Sequence, residues 1–573
     1  MKTCNHTHKI AVLLLGFVLE SAPVTYAATY YIDFQAGNDM AAGTSPATAW
    51  RTIPGTRTLN DTGYVARVYG GGVVSLTAKV PAGTTFNMKS GSTYSGALGS
   101  YILIDTDFYT DGATTLASIV FSRDTTWGTG PVTFDFTGTT NTVAGIVGKI
   151  DGMTWNGNGV NGIVITHAAR NGYQVKEKAG TRAKVRNLQF FYILFSANGI
   201  LNTTDTMGAA CGGLNMRNAD TVEVSNCIFD GQGNFVNGIY CADSGFSVIN
   251  ATFRNCIAMN HKGDLVTDDA GIGFKAVNSQ ISLINCESHD NLKGFDLGEY
   301  LSGNANITYK IIGCASYNNH WGANLNNVGN NTYTGQCNFY LINSLIYSNA
   351  SRGSFCYAGP FNLYVTHNVF ANNGGYRGST SDDGHMRITS DGAKDNGEIH
   401  AYLYNNIFLG ANPTVMSSGY FEPATNVISL HFDYNAYSTA TNSKFFLWSY
   451  NYAGTGTQNK SFLVGTNGPG RASGNWYSWY GNSTVPPANG SGHYNCDPHS
   501  KGTGCSDTTL PPLADNFRPT NSYAGINLST NAWCIPEMTV DREGKTRTFW
   551  DIGAFDYQRA HTPESPKNLR SLP

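Results

Sequence analysis

The sequence predicts an all-β chain folded as a right-handed parallel β-helix with long loops. Three observations carry that prediction. A short turn motif recurs at a nearly constant step, a second register follows it at a nearly constant offset, and the composition favours strands and turns over helices.

The turn motif comes first, because an internal repeat decides the architecture before any single element does. Asn226-Cys227-Ile228-Phe229, Asn255-Cys256-Ile257-Ala258, Asn285-Cys286-Glu287-Ser288, Gly313-Cys314-Ala315-Ser316, Asn343-Ser344-Leu345-Ile346, His367-Asn368-Val369-Phe370 and Asn405-Asn406-Ile407-Phe408 align under one another. Counted from Cys227, the steps are 29, 30, 28, 30, 24 and 38 residues. A β-rich run precedes each motif, as in Phe246-Ser-Val-Ile249 and Ile281-Ser-Leu-Ile284, and an Asn often follows: Asn260, Asn291, Asn318, Asn349, Asn372. One such repeat cannot bury its own apolar face. Stacked at about 4.8 Å, each rung pairs with the next and the inner faces close a common core. Cys227, Cys256, Cys286 and Cys314 then form a column, and small, weakly polar Cys suits a buried site. A step of 28 to 30 residues is not zinc-ligand spacing.

The second register is marked by Gly. Gly238-Ile-Tyr-Cys241, Gly273-Phe-Lys-Ala276, Gly294-Phe-Asp-Leu297, Gly322-Ala-Asn-Leu325 and Gly353-Ser-Phe-Cys356 align, and the fourth residue is always apolar. That residue points inward, so by strand alternation the one before it points outward. The outward column reads Tyr240, Lys275, Asp296, Asn324, Phe355. The residue before each Gly gives another column: Lys293, Trp321, Arg352.

Composition and organisation agree. The 573 residues include 66 Gly but only 13% charged residues, with a net charge of −3. So weak a charge speaks against a nucleic-acid partner, which needs a basic surface. Hydrophobic residues make up 41%, too many for a disordered chain. Residues 1–27 read as a signal peptide: Lys2 and Lys9, an apolar run from Ile10 to Leu19, and Thr25-Tyr-Ala27 before the cut. Secretion to the medium or periplasm is therefore expected, with no membrane span. Residues 28–150 are expected to hold an N-terminal cap and early or irregular rungs, and 151–445 the β-helix core. Residues 446–573 read as loop-rich, with Phe549–Tyr557 as a closing strand before a flexible tail. Of the twelve Cys, eleven remain after the leader, and Cys496 and Cys505 flank a short polar loop that a disulfide would close.

One rung departs from the rest. From Cys to the aligned Gly the spacings are 11, 17, 8, 8 and 9 residues. The long one contains His261, Asp264, Asp268 and Asp269, an acidic loop projecting just before Lys275. Its carboxylates offer oxygens for a hard cation such as Ca²⁺, or form a solvated turn.

Asp269-Ala-Gly-Ile-Gly-Phe-Lys275, with Asn285-Cys286 and Asn291-Leu-Lys-Gly-Phe-Asp296 one rung later, resembles the family 9 polysaccharide lyases, the β-helical pectate lyases. The likeness covers about residues 215–375. It implies a parallel β-helix that cleaves pectate, with Lys275 in the place of the catalytic base. The family also binds Ca²⁺ through an Asp-Asp-Gly-Phe-Asp segment one rung before that Lys. Here Val236-Asn-Gly-Ile-Tyr240 stands there without carboxylates, and Ala276-Val-Asn278 replaces the expected Leu-Gly-Gly. Either the metal is lost, or Asp264, Asp268 and Asp269 replace its ligands, or the chain binds sugar without cleaving it.

The expected function is thus a lyase acting on a uronate-containing polysaccharide. Such an enzyme removes the C5 proton of a uronate and expels the 4-O-linked sugar, so positive charge must neutralise the carboxylate. Lys275 serves as base only if its pKa falls well below about 10.4. An ion pair with Asp296, one rung away, is the competing arrangement. Lys293, Trp321 and Arg352, with Asp296 and Asn324, are the candidate substrate-binding residues. The alternatives are a non-catalytic glycan-binding β-helix and a glycoside hydrolase using carboxylates such as Asp243, Asp268, Asp269 and Asp296.

Overall fold

Nearly every described element of the chain is a short β-strand, and the strands fall into three sheets. The computed structural model describes residues 28–57, 79–95, 101–110, 119–138, 144–178, 183–241, 248–267, 269–299, 307–327, 337–357, 360–374, 384–390, 399–410, 415–421, 428–433, 435–438, 444–452, 456–463, 494–495, 501–502, 540–543, 545–547 and 554. The expected leader, Asp243, Asp268, Cys496, Cys505, and the closing strand apart from Ala554 lie outside them.

The sheets hold fourteen, thirteen and fourteen described strands. Apart from the ends of the third sheet, each strand pairs in parallel with the one a full turn later, for example Ile281–Ile284 with Tyr309–Ile312, and Glu287–His289 with Ala315–Tyr317. This is a right-handed parallel β-helix. The ladder runs unbroken through residue 150, from Thr29–Ile32 onward. It also reaches Gly456–Leu463, Tyr494–Asn495 and Lys501–Gly502, within the stretch read as loops. Pairing is antiparallel at both ends of the third sheet: Thr56–Arg57 against Tyr101–Ile102, and Lys444–Tyr452 against Gly456–Leu463. Among the described residues no helix is long and apolar enough to cross a membrane.

The recurring motif is the corner between the first and second sheets. Its Asn226, Asn255, Asn285, Gly313, Asn343, His367 and Asn405 all have φ between 52° and 64°. Left-handed backbone costs most L-residues roughly 1–2 kcal/mol, which Gly avoids and Asn tolerates. The next residue turns inward. Cys227, Cys256, Cys286 and Cys314 are buried and free. Each thiol donates to a carbonyl of the rung before, Cys256 to Val224 and Cys286 to Phe253, both at 3.5 Å. The column then continues with other side chains in the same role. Cys314 N–H donates to Ser344 Oγ, Ser344 N–H to Asn368 Oδ1, and Asn368 N–H to Asn406 Oδ1.

Two details differ from the sequence reading. The described strand before Cys256 is Ile249–Arg254, which runs closer to the corner than Phe246–Ile249, and Phe246 and Ser247 lie outside the described residues. The Asn that follow the motif belong to two adjacent columns rather than one. Asn260, Asn318 and Asn372 carry the positive φ, whereas Asn291 and Asn349 belong to a buried ladder with Asn319 and Asn373. The sequence mixes the columns because both positions favour Asn for different reasons.

The aligned Gly open the third sheet's strands. A Cβ on Gly294 would lie 2.2 Å from Ser316 Oγ and 2.4 Å from Gly322 O. The missing side chain lets Ser316 Oγ reach Gly322 O at 2.8 Å, as Ser288 Oγ reaches Gly294 O at 2.9 Å. These contacts pin the corner from the second sheet to the third, and with it the starts of the strands that bear Lys293 and Asp296, and Trp321 and Asn324. In the early rungs the interior is aromatic, with Phe86, Phe121 and Trp155 stacked at 5.1 and 4.2 Å. Burying each such ring contributes about 2–3 kcal/mol.

Candidate active site

The third sheet places the candidate residues in register. Tyr240, Lys275, Asp296, Asn324 and Phe355 are successive Cα partners on five strands. Lys293, Trp321 and Arg352 form the neighbouring row. Ala276, Leu297, Leu325 and Cys356 face the core, so the row from Tyr240 to Phe355 lies on the outer face, and Lys293 and Arg352, at the starts of their strands, reach that row at Asp296 and Phe355.

Lys275 sits half-buried at the base of the inserted loop. Its ammonium donates to Asp269 O at 2.6 Å and to Ala209 O at 3.2 Å. It stands 5.7 Å from the Tyr240 ring centroid. Among the described residues it makes no ion pair. Burial lowers its pKa, and the Lys293 charge adds to that, while Asp296, Asp269 and Asp205 oppose it.

The competing arrangement, an ion pair between Lys275 and Asp296, is not the one the structure shows. Asp296 instead faces Lys293, three residues earlier on its own strand, with Nζ and Oδ2 3.4 Å apart and both side chains buried. Its other oxygen accepts from Asn324 Nδ2 at 2.7 Å and Asn326 Nδ2 at 3.3 Å. Lys293 opens its strand at the corner, where strict alternation does not hold, and its long side chain reaches over to Asp296 three residues on.

Trp321 lies between two cations. Lys293 Nζ is 4.9 Å from its centroid and the Arg352 guanidinium 5.0 Å. Arg352 also covers Phe355 at 4.6 Å, and Arg387 on the next strand stands over the same ring at 5.5 Å. Cations and rings thus alternate up the face, worth about 0.5–2 kcal/mol per contact. Arg352 is three rungs from Lys275, about 14 Å along the stack. Lys293 is one rung away.

The acidic loop is organised by a residue the sequence reading missed. Asp205, buried, accepts the N–H groups of Asp264 and Ala270 on Oδ1, both at 3.0 Å. Its Oδ2 accepts Asp269 N–H and Thr267 Oγ1, both at 2.7 Å. Burial would raise this carboxyl, but the bonds from Thr267, Asp269, Asp264 and Ala270 hold it below its ordinary range. Asp205 lies 59 to 65 residues before its partners, and no spacing rule in the sequence links them. His261 heads the Asn ladder, its N–H on Asn291 Oδ1 and its Nε2 3.1 Å from Phe229 O. Burial pulls its pKa down to about 4, so it is a neutral corner residue.

These placements bear on calcium. Asp264 is exposed and its Oδ1 caps Val266 N–H at 2.8 Å. Asp269 gives its carbonyl to Lys275, and Asp268 lies outside the described residues. Asn237, one rung before Lys275, has its oxygen on Ile272 N–H and its amide shared among Gly208, Ala209 and Cys211 carbonyls. Among the described residues no three His, Cys, Asp or Glu side chains gather as a metal site. The described part of the loop therefore does not fit a Ca²⁺ ion, which takes six to eight oxygens.

Comparison with known proteins finds no matching family model and no matching curated protein. Among solved structures, the chain is similar to one titled "Crystal structure of pectate lyase Pel9A" at 14% identity and a TM-score of 0.37, covering 94% of this chain and 98% of that one. It is similar to a rhamnogalacturonan lyase at 13% identity and a TM-score of 0.31, covering 67% and 83%. Likeness at this level leaves the chemistry to be read from the chain's own residues.

Proposed function

We propose that the chain is a polysaccharide lyase that cleaves a uronate-containing polysaccharide, with pectate as the first substrate to test, by β-elimination with Lys275 as base. One observation carries the reading. A neutral amine has two N–H bonds and one lone pair, and two backbone carbonyls stand within reach of Lys275 Nζ. Donating to both directs the lone pair away from them, as a base requires. The lowered pKa, and the absence of an ion pair on Lys275 among the described residues, favour the same neutral form.

In the proposed step the Lys275 amine takes the C5 proton, the C–H electrons form the C4–C5 double bond, and the 4-O-linked sugar leaves as the C–O bond breaks. Negative charge develops on the uronate carboxylate. Lys293, one rung away, supplies positive charge nearby, and Arg352 is better placed for a sugar three rungs along the stack. Asp296 holds Lys293 in position and Asn324 orients Asp296, so both are positioning residues in this reading. Asp296 is already engaged by a cation and two amides, which disfavours it as one of a pair of hydrolytic carboxylates.

The test is the absorbance of unsaturated uronate products from pectate, alginate and glycosaminoglycans, with wild type and Lys275→Ala side by side and with chelator added or omitted. Product from wild type alone supports the reading. No product from any acidic glycan, or equal product from the variant, overturns it.

A further inference from the structure

On the same outer face, towards the N-terminal end of the stack, the third sheet carries a second charged row. Lys176 N–H donates to Gly148 O, and Arg217 N–H to Val175 O, both at 3.0 Å, while Lys149 N–H donates to Ile104 O at 2.8 Å. These bonds continue the ladder past the printed strand ends, so Lys149, Lys176 and Arg217 occupy one position on three consecutive rungs. The inward residues before them, Val175 and Met216, are fully buried, which turns the three cations outward. All three are half-buried.

We propose that Lys149, Lys176 and Arg217 form a ladder that holds successive carboxylates of an acidic polysaccharide on the N-terminal side of Lys275. The row repeats at the rung spacing of about 4.8 Å, close to the length of one sugar unit in a chain. Arg217 is two rungs from Lys275, so the ladder begins about 10 Å from the base and extends away along the stack. Like charges at this spacing repel, and a polyanion laid along them relieves that repulsion. Burial lowers the Lys176 pKa, Lys149 and Arg217 add to that, and Glu177 opposes it.

A second observation points to a sugar rather than a simple anion. Gln174 and Asn215 lie two residues before Lys176 and Arg217 on the same strands and are 2% and 1% exposed. Gln174 Oε1 and Asn215 Oδ1 have no hydrogen-bond partner among the described residues. The Asn215 amide is oriented by Asn171 Oδ1 at 3.0 Å and Ala210 O at 2.7 Å, which fixes its oxygen as an acceptor. Ammonium groups beside amide oxygens match a uronate, which offers a carboxylate and hydroxyl donors together.

This inference rests on the lyase reading for its substrate class, and its test separates the two. The full chain is run in native gels containing polygalacturonate or alginate, with neutral dextran as control. Wild type, Lys176→Gln, Lys176→Arg and the triple variant Lys149→Gln/Lys176→Gln/Arg217→Gln are compared, each checked for an unchanged thermal transition. The expected result is retardation of wild type by a polyuronate but not dextran. Apparent affinity falls about ten-fold in the triple variant and less in Lys176→Gln, and Lys176→Arg restores it. Equal retardation of the triple variant and wild type, or no retardation of wild type by either polyuronate, overturns the ladder. Retardation that the triple variant loses, in a wild type that cleaves no polyuronate, supports the ladder and rejects the lyase.

Discussion

Lys293 and Asp296 face each other at 3.4 Å from positions three residues apart on one strand, and this pair, not one across the rungs, takes up the carboxylate beside Lys275. Both side chains are buried, so their coupling is measurable. A double-mutant cycle of Lys293→Met and Asp296→Asn, read by urea unfolding, should give an interaction energy of about 1–3 kcal/mol. Additive single effects would mean that the two groups do not act as a pair.

Burial leaves Lys275 with a depressed pKa, which Asp296 opposes only in part. The rate should rise with pH as the amine loses its proton, along a limb centred below the ordinary Lys range. Asp296 opposes the depression, so Asp296→Asn should move that midpoint lower still. Lys275→Ala should lower kcat/KM about 10²–10⁴-fold. A limb that stays put in Asp296→Asn would contradict this electrostatic coupling.

Asp205 ties down the loop that delivers Asp269 O to Lys275. Asp205→Ala should lower kcat about a hundred-fold if Lys275 shifts by an ångström. The folded carboxyl has a lowered pKa, so its contribution is intact above the unfolded value and is lost as pH falls through the folded one. Limited proteolysis should therefore cut residues 261–271 faster at acid pH in wild type. In Asp205→Ala cutting should be fast across the neutral range, and an unchanged cutting pattern would count against the tether.

The Gly column predicts a steric cost. In Gly294→Ala the new methyl meets Ser316 Oγ and Gly322 O, backbone that cannot swing aside. The variant should lose about 1–3 kcal/mol in thermal or denaturant unfolding. A transition within error of wild type would show that the corner has slack.

Cys227, Cys256, Cys286 and Cys314 should resist thiol reagents. Burial raises the pKa of Cys256, Cys286 and Cys314, and the thiolate is the reactive form. Peptide mapping after native alkylation should find all four unmodified, and mapping after denaturation should find them modified.

The register was legible in the sequence because a strand's two-residue period and a fixed rung length leave little freedom. Cys at the corner and Gly at the strand start placed Lys275, Asp296 and Asn324 on adjacent strands before any coordinate did. What escaped was contact that no period encodes. Asp205 reaches its loop across about sixty residues of chain, and the Lys293–Asp296 pair depends on side-chain length rather than position. The Asn that follow the corner misled for a related reason. Left-handed backbone and amide ladder both select Asn, and the identity of a residue does not say which demand it meets. The basic row at Lys149, Lys176 and Arg217 escaped because it precedes the Cys motif on which the alignment was built.

The reversed strands at the two ends of the third sheet have a consequence for the molecule in bulk. A stack of identical steps has no intrinsic length, and an exposed parallel edge is a template on which another copy can extend the pattern. Thr56–Arg57 and Gly456–Leu463 run against the grain and cap those edges with strands that do not repeat the rung. Among the described residues, the third sheet thereby presents no parallel end strand on which a second copy could continue the rung.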